Sequence, residues 1–220
     1  MPVLKSICKR VWEESKTVYR KYCLTKKAVT TMNVCIISGS ARQDNNTFRV
    51  GKALQRLHQN DQTELIDFKE YDIPLVAQSD LDQDLSNPFQ QRLARAMKES
   101  QVIYIITPEY NWSITPEILN WLHRWGDKQY RELFDQKVFA LVGVSTGKGG
   151  KAPLLHLTGI LNKIISYLNL DAFVSARIFE AHYVKEVLDE EGASKGNAEF
   201  DAGMNVFVNY TRRMVERWNH

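Results

Sequence analysis

A doubly wound α/β domain is the fold this sequence predicts: five parallel strands in the order 2-1-3-4-5, with helices on both faces. Three observations predict it. From Asn33 onward, short apolar runs alternate with segments of helical period. The runs Val102–Thr107 and Val138–Ser145 are almost continuously apolar, as expected of parallel strands covered on both faces. Polar loops carrying glycine or proline follow the first, third and fourth runs, where a doubly wound sheet receives its ligand.

Taken in order, Asn33–Ser38 reads as the first strand, and Thr47–His58 as a helix with Phe48, Val50, Ala53, Leu54 and Leu57 at helical spacing. Glu64–Phe68 alternates as a second strand. Pro88–Ser100 is amphipathic, with Phe89, Leu93, Ala96 and Met97 on one side. Val102–Thr107 is the third strand, Thr115–Trp125 a helix and Val138–Ser145 the fourth strand. Pro153–Leu168 is a helix, Asp171–Ile178 a final strand and Ala198–Trp218 a closing helix. No internal repeat or low-complexity tract interrupts the series. Right-handed crossovers between these strands place a ligand at their carboxyl ends, by the switch point between strands one and three.

Composition bounds the reading. With 220 residues, 44% hydrophobic and 25% charged, the chain fits one α/β domain plus an appendage. No apolar run approaches the roughly 18 residues of a membrane span, and no signal-peptide core is visible. Cys8, Cys23 and Cys35 form neither an even framework nor a Cys-x-x-Cys pair, so a reduced, cytoplasmic setting is expected, with Cys35 a small core residue. Charge divides the chain. Residues 1–31 carry eight Lys/Arg against Glu13 and Glu14; set against +3 for the whole, this leaves residues 32–220 at −3. The basic balance therefore belongs to the extension and gives no argument for nucleic acid. Within 1–31, Leu4, Ile7, Cys8, Val11, Val18, Tyr19 and Tyr22 recur at helical spacing among the cations. Such a basic amphipathic helix suits a membrane surface or a partner, but packing on its own domain, fraying, or lying upstream of a functional start at Met32 is together the favoured reading. Adjacent glutamates and little serine argue against a transit peptide. The expected organisation is thus an extension, 1–31, and a domain, 32–220.

The first loop carries the chemistry. Val34-Cys35-Ile36-Ile37 ends in Ser38-Gly39-Ser40, then Arg42 and Asn45-Asn46-Thr47, directly before a helix. Backbone N–H groups, hydroxyls and the positive end of a helix converge there, which suits an anion, above all a phosphate; a plain capped turn is the other reading. A dinucleotide fingerprint needs three spaced glycines, and only Gly39 is present. Gly147-Lys148-Gly149-Gly150-Lys151-Ala152 lacks the upstream glycine and the hydroxyl of a P-loop. What remains is a monoester phosphate, with Ser40, Asn46 and Thr47 as donors and Arg42 as a charged one.

The other two loops are Thr107-Pro108-Glu109-Tyr110-Asn111-Trp112-Ser113 and Ser145-Thr146-Gly147-Lys148-Gly149-Gly150. The first joins proline rigidity, an aromatic face and an amide; the second permits close backbone approach. A flat heteroaromatic ring attached to the phosphate fits between them, and flavin mononucleotide (FMN) is the candidate. Core or interface packing for Tyr110 and Trp112, and a surface turn at Gly147–Gly150, are the alternatives.

The combination Gly39-Ser40-x-Arg42…Asn46-Thr47, Pro108-Glu109-Tyr110-Asn111 and Ser145-Thr146-Gly147, with Asp72-Ile73-Pro74-Leu75 after strand two, resembles the NAD(P)H-dependent FMN reductase family, relatives of chromate, quinone and azo-dye reductases. The resemblance spans roughly 33–217 and implies a flavodoxin-like fold. It implies that Ser40, Arg42, Asn46 and Thr47 hold the FMN phosphate. Pro108, Glu109, Tyr110 and Asn111 would then line the ring, and Ser145, Thr146 and Gly147 meet its pyrimidine edge. It further implies NADPH or NADH as electron donor, a small-molecule electron acceptor such as a quinone, flavin, azo compound or metal oxyanion, and a homodimer or homotetramer.

One departure stands out. Where the family has a Leu-Lys-Asn-(two apolar)-Asp helix, this chain has Leu119-Asn120-Trp121-Leu122-His123-Arg124-Trp125, so Asn120, Trp121 and Arg124 replace residues tied to subunit contacts.

The chemistry expected is the cofactor's, and no side chain is assigned as catalytic; Glu109 is expected to be a structural carboxylate. His58, His123, His156, His182 and His220 show no metal spacing, and no Gly-x-Ser-x-Gly elbow anchors a hydrolytic triad. Two other classes remain. One is a flavodoxin-type electron carrier, which a domain at only −3 disfavours because such carriers are strongly acidic. The other is a flavin-binding regulatory module contacting a partner through the basic helix.

Overall fold

The computed structural model describes residues 31–78 and 85–218; the expectations for residues 1–30, including the amphipathic helix, Cys8 and Cys23, lie outside it. One compact unit spans Met32–His220. Its elements are β1 (Asn33–Ser38), α1 (Asn46–Leu57), β2 (Gln62–Asp67), α2 (Pro88–Glu99), β3 (Val102–Pro108) and α3 (Pro116–Trp125). There follow a short α4 (Arg131–Phe134), β4 (Val138–Val144), α5 (Lys151–Leu168), β5 (Phe173–Val174), β6 (Phe179–Ala181), a short α6 (Val184–Val187) and α7 (Ala198–Trp218). The sheet runs β2-β1-β3-β4-β5, all parallel, with β6 also paired to β4.

Continuous apolar strands send neighbouring side chains to opposite faces, and each face has its own core. Cys35, Ile37, Ile103, Ile105, Phe139 and Leu141 pack with Leu93, Met97, Trp121, Leu154 and Leu157 from α2, α3 and α5. Ile36, Tyr104, Ile106, Ala140 and Val142 pack with Val50 and Leu54 of α1 and Met204, Phe207 and Val208 of α7. Cys35 is fully buried and its thiol unpaired, as expected of a core residue. Among the described residues, no helix is long and apolar enough to cross a membrane.

The expected single strand over Asp171–Ile178 is corrected to two short ones. Phe173 and Val174 pair with Val138 and Phe139, whereas Phe179, Glu180 and Ala181 pair with Val142, Gly143 and Val144. Between them Ser175 donates its hydroxyl to the Arg177 carbonyl, 3.2 Å, so the side chain supplies a bond that bends the chain off the ladder.

The departing helix positions turn inward. Asn120 and Arg124 are 8% and 3% exposed, and Trp121 is fully buried. Asn120 Nδ2 donates to Tyr71 Oη (2.7 Å) and to the Pro74 carbonyl (3.0 Å), while its Oδ1 accepts from Val76 N–H (3.0 Å). Arg124 Nη1 donates to the Leu75 carbonyl, 3.1 Å. These residues therefore fasten the Tyr71–Val76 segment to α3 within one chain, where the resemblance implies contacts between chains.

Register levels the carboxyl edge: Ser38 lies opposite Ile106, Pro108 opposite Val144, and Val144 opposite Ala181. The chain leaves this one edge at Gly39, Glu109, Ser145 and His182.

Candidate active site

The first loop is shaped by its own polar side chains. Asn45 caps α1, its Oδ1 accepting from Phe48 N–H at 2.6 Å, which leaves the N–H groups of Asn46 and Thr47, in the first turn, without helical acceptors. Asn45 Nδ2 donates to the Arg42 carbonyl (3.0 Å) and to Asp67 Oδ1 (3.3 Å) at the end of β2. Burial lifts the Asp67 carboxyl above its ordinary range, against the bonds from Lys69 N–H, Asn45 and Ser38 that favour its ionised form. Gly39 is required by close approach: a Cβ there would lie 2.2 Å from Ile118 Cδ1. Thr115 Oγ1 fixes the Gly39 carbonyl from the start of α3, at 2.8 Å.

The third loop is a two-residue turn. Tyr110 and Ser113 exchange backbone hydrogen bonds (3.1 and 2.9 Å), and Asn111 and Trp112 between them both have positive φ, 47° and 62°. This is the type I′ geometry, with tryptophan where glycine is favoured. Tyr110 reaches back to loop one: its hydroxyl is 3.4 Å from Ser40 Oγ, and the Arg42 guanidinium lies 4.5 Å above its ring.

Glu109 serves the fourth loop. Its Oε2 accepts from Gly150 N–H at 2.8 Å, the structural role expected of it. Gly149 leaves room for that carboxylate, since a Cβ there would lie 2.2 Å from Oε2. Gly147 N–H donates to Ser145 Oγ at 3.1 Å.

One cavity of about 450 Å³ opens between these loops. It is lined by Ser40, Arg42, Asn46, Thr47, Pro108, Glu109, Tyr110, Asn111, Ser145 and Thr146, all expected at the site, and also by Asp44, Asn45 and Val144. Gly147 stands outside the lining, on the same loop. Thr47 differs from expectation in detail: its hydroxyl donates to Asn45 Oδ1 (2.9 Å) and lies 2.8 Å from Ser38 Oγ, so it braces the loop. Asn46 does the opposite. Its Oδ1 is buried with no hydrogen-bond partner among the described residues, and turning the amide by 180° offers Nδ2 to an anion instead. The size suits a small-molecule site, and an orphaned amide beside two open N–H groups and Arg42 fits a phosphate.

Two residues escaped the sequence reading because their signal lies far along the chain. Lys185 Nζ donates to Asp44 Oδ2 at 2.8 Å, and His182 Nε2 lies 2.8 Å from the Gly149 carbonyl oxygen. The Lys185 bond, then its charge, hold the Asp44 carboxyl below its ordinary range. Among the described residues no group of three or more His, Cys, Asp or Glu side chains is placed to hold a metal ion.

A parallel sheet in this order, with its ligand loops at the β1/β3 switch point, defines a protein of the flavodoxin-like fold. The chain belongs to the NADPH-dependent FMN reductase family, whose model matches residues 32–180. It is accordingly an NAD(P)H-dependent FMN oxidoreductase, with FMN as cofactor and NAD(P)H as electron donor.

The fold is shared with FerB, described as a flavoenzyme NAD(P)H:(acceptor) oxidoreductase from Paracoccus denitrificans; identity is 21% over 85% of this chain and 98% of that one, with a TM-score of 0.69. It is also shared with the apo form of an NADH:FMN oxidoreductase, EmoB (17% identity, 84% and 90% covered, TM-score 0.55). An oxidoreductase from Corynebacterium diphtheriae is a third (15% identity, 85% and 98% covered, TM-score 0.54). No curated protein sequence matches the chain.

Proposed function

We propose that the cavity between loops one, three and four is the FMN site, and that the enzyme reduces a small electron acceptor: a quinone, free flavin, azo compound or metal oxyanion. The observation that carries this reading is the convergence of ten expected residues on one cavity whose phosphate end holds the unpartnered Asn46 amide. In it, Asn46 and Thr47 offer backbone N–H groups to the phosphate, Ser40 and Asn46 offer side-chain donors, and Arg42 offers charge. Pro108, Glu109, Tyr110 and Asn111 line the ring, and Ser145 and Thr146 face its pyrimidine edge, with Gly147 next on the same loop. FMN held by these residues would supply the redox chemistry that links the nicotinamide to the acceptor. The protein's own part is to position and to exclude. Tyr110, held by Ser40 and covered by Arg42, walls the ring from loop one's side. Glu109 Oε2 accepts from Gly150 N–H, a structural role for its carboxylate.

Loss of Arg42 tests the phosphate assignment. A charge-assisted hydrogen bond contributes about 1.5–3 kcal/mol, so Arg42→Ala is expected to weaken FMN binding by roughly tenfold to a hundredfold in a fluorescence titration of the apoprotein. Adding Thr47→Ala loosens the loop and weakens binding further. Unchanged affinity in the double variant would overturn the assignment.

We further propose a homo-oligomer formed through α3 and α5. A cavity of about 560 Å³ lies there between Leu122, Gly159, Ile160 and Ile164, flanked by exposed Leu155 and Tyr167. Residues 1–31 are read as an extension of this domain for which contact with a membrane surface or partner is the less favoured role, and the working compartment as the cytoplasm.

A further inference from the structure

We propose that residues 182–185 are a positioning strap that ties the two ends of the cofactor site together, with Lys185 serving the phosphate end and His182 the ring end. The inference rests on the FMN site proposed above. The segment lies just past residue 180, where the family match ends.

The geometry assigns one residue to each loop. Ser145 N–H donates to the Ala181 carbonyl at 3.1 Å, so the strap begins beside the fourth loop. His182 Nε2 then meets the Gly149 carbonyl oxygen at 2.8 Å, with the Glu180 carboxylate 3.6 Å from the same nitrogen. Glu109 holds the adjoining Gly150 N–H, so the turn is gripped by both residues. Tyr183 has left-handed backbone, φ 48°, a conformation that costs a bulky side chain energy and that reverses the strap's direction. Two residues later Lys185 meets Asp44 of the phosphate loop, 2.8 Å, across a sequence separation of 141.

The charge arithmetic explains why Lys185 matters. Asp44 lines the cavity at its phosphate end, and an unpaired carboxylate there opposes an incoming phosphate. Arg49, at 4.0 Å from Asp44, is too distant to hydrogen-bond it and donates instead to the Leu188 carbonyl at 3.3 Å. Lys185 is the residue that neutralises the carboxylate by direct contact. Its effect is therefore electrostatic and specific to a ligand bearing phosphate, whereas His182 acts on the loop that faces the ring.

Comparing FMN with riboflavin, which has the same ring and no phosphate, separates the two ends. The apoprotein is titrated with each by flavin fluorescence. Lys185→Met is expected to weaken FMN about threefold to tenfold at low salt and to leave riboflavin unchanged, with the deficit shrinking as salt is raised. Asp44→Asn placed in the same chain restores FMN affinity. His182→Ala is expected to weaken both ligands by a common factor, and His182→Gln, whose amide reaches the same carbonyl, to recover both. Near-ultraviolet circular dichroism of each apoprotein confirms that the variants fold alike. Equal loss of FMN and riboflavin in Lys185→Met, salt-independent loss, or full affinity in His182→Ala overturns the strap. Failure of the unaltered protein to bind FMN overturns the site itself.

Discussion

Away from the cavity, His58 and Asp61 form a buried polar group that ties chemistry to stability. His58 Nδ1 lies 2.7 Å from Asp61 Oδ2 and its Nε2 3.0 Å from Tyr104 Oη. Nδ1–H donating to the carboxylate leaves Nε2 to accept from the phenol. Arg212 pairs with the same carboxylate, and Met32 N–H donates to Asp61 Oδ1 at 3.1 Å. Burial pulls the His58 imidazole below its ordinary 6.5, against the raising effect of Asp61. Burial raises Asp61, but Arg212, His58 and Met32 N–H together leave it below 3.8. For the histidine, the unfolded chain binds more protons than the native one between the lowered value and 6.5. Its contribution is therefore complete above 6.5 and is lost as pH falls through that window. Asp61 adds a second loss below 3.8. Urea midpoints measured from about pH 8 down to about pH 5 should fall with pH, and His58→Gln should start less stable but with a flatter pH dependence. A slope as steep in His58→Gln as in the parent would assign the dependence elsewhere. Nothing in the spacing of His58, Asp61, Tyr104 and Arg212 announces this group, because Tyr104 and Arg212 are brought to the local His58–Asp61 pair by tertiary structure alone. Ser40, Arg42, Asn46 and Thr47, by contrast, were legible because one strand-to-helix turn carries them all.

Among the elements, the strands were the most legible and the crossings between them the least. Periodicity placed β1 at Asn33–Ser38 and α7 at Ala198–Trp218 as observed, since burial on one or two faces writes a repeating pattern. Single-residue accommodations leave no such pattern. The break between β5 and β6 rests on the Ser175 hydroxyl, and the grip of α3 on Tyr71–Val76 rests on Asn120 and Arg124. The passage of β4 beneath the fourth loop is another case. Gly143 sits against the turn that opens α5: a Cβ on it would lie 2.1 Å from the Gly150 carbonyl oxygen, and Gly150 itself has φ 94°. Backbone on both sides cannot swing aside as a side chain can. Gly143→Ala is expected to cost about 1–3 kcal/mol of stability by overpacking and to displace the turn that Glu109 and His182 hold. A denaturation midpoint and FMN affinity both unchanged in this variant would mean that the turn yields without effect on the site.

At the scale of the whole molecule, two cores flank one sheet and every ligand loop issues from one edge, which is why function could be read from the order of motifs. The charge division points to the last test. Met32 is tied into the domain: its carbonyl accepts from Gln62 N–H (2.9 Å), its N–H meets Asp61, and the residue is 5% exposed. The family match also begins at residue 32. A chain of Met32–His220 is expected to keep one FMN per chain and the parent's oligomeric state, since every residue described at the cavity and on the α3–α5 face lies within it. Its net charge changes from +3 to −3, so it should lose retention on a cation exchanger and any binding to anionic vesicles. Flavin absorbance per chain, sedimentation velocity and vesicle co-sedimentation measure the three separately. Vesicle binding lost with FMN retained would assign the extension to membrane contact. Loss of mass on truncation would assign it to assembly instead, and would move the subunit contact away from α3 and α5.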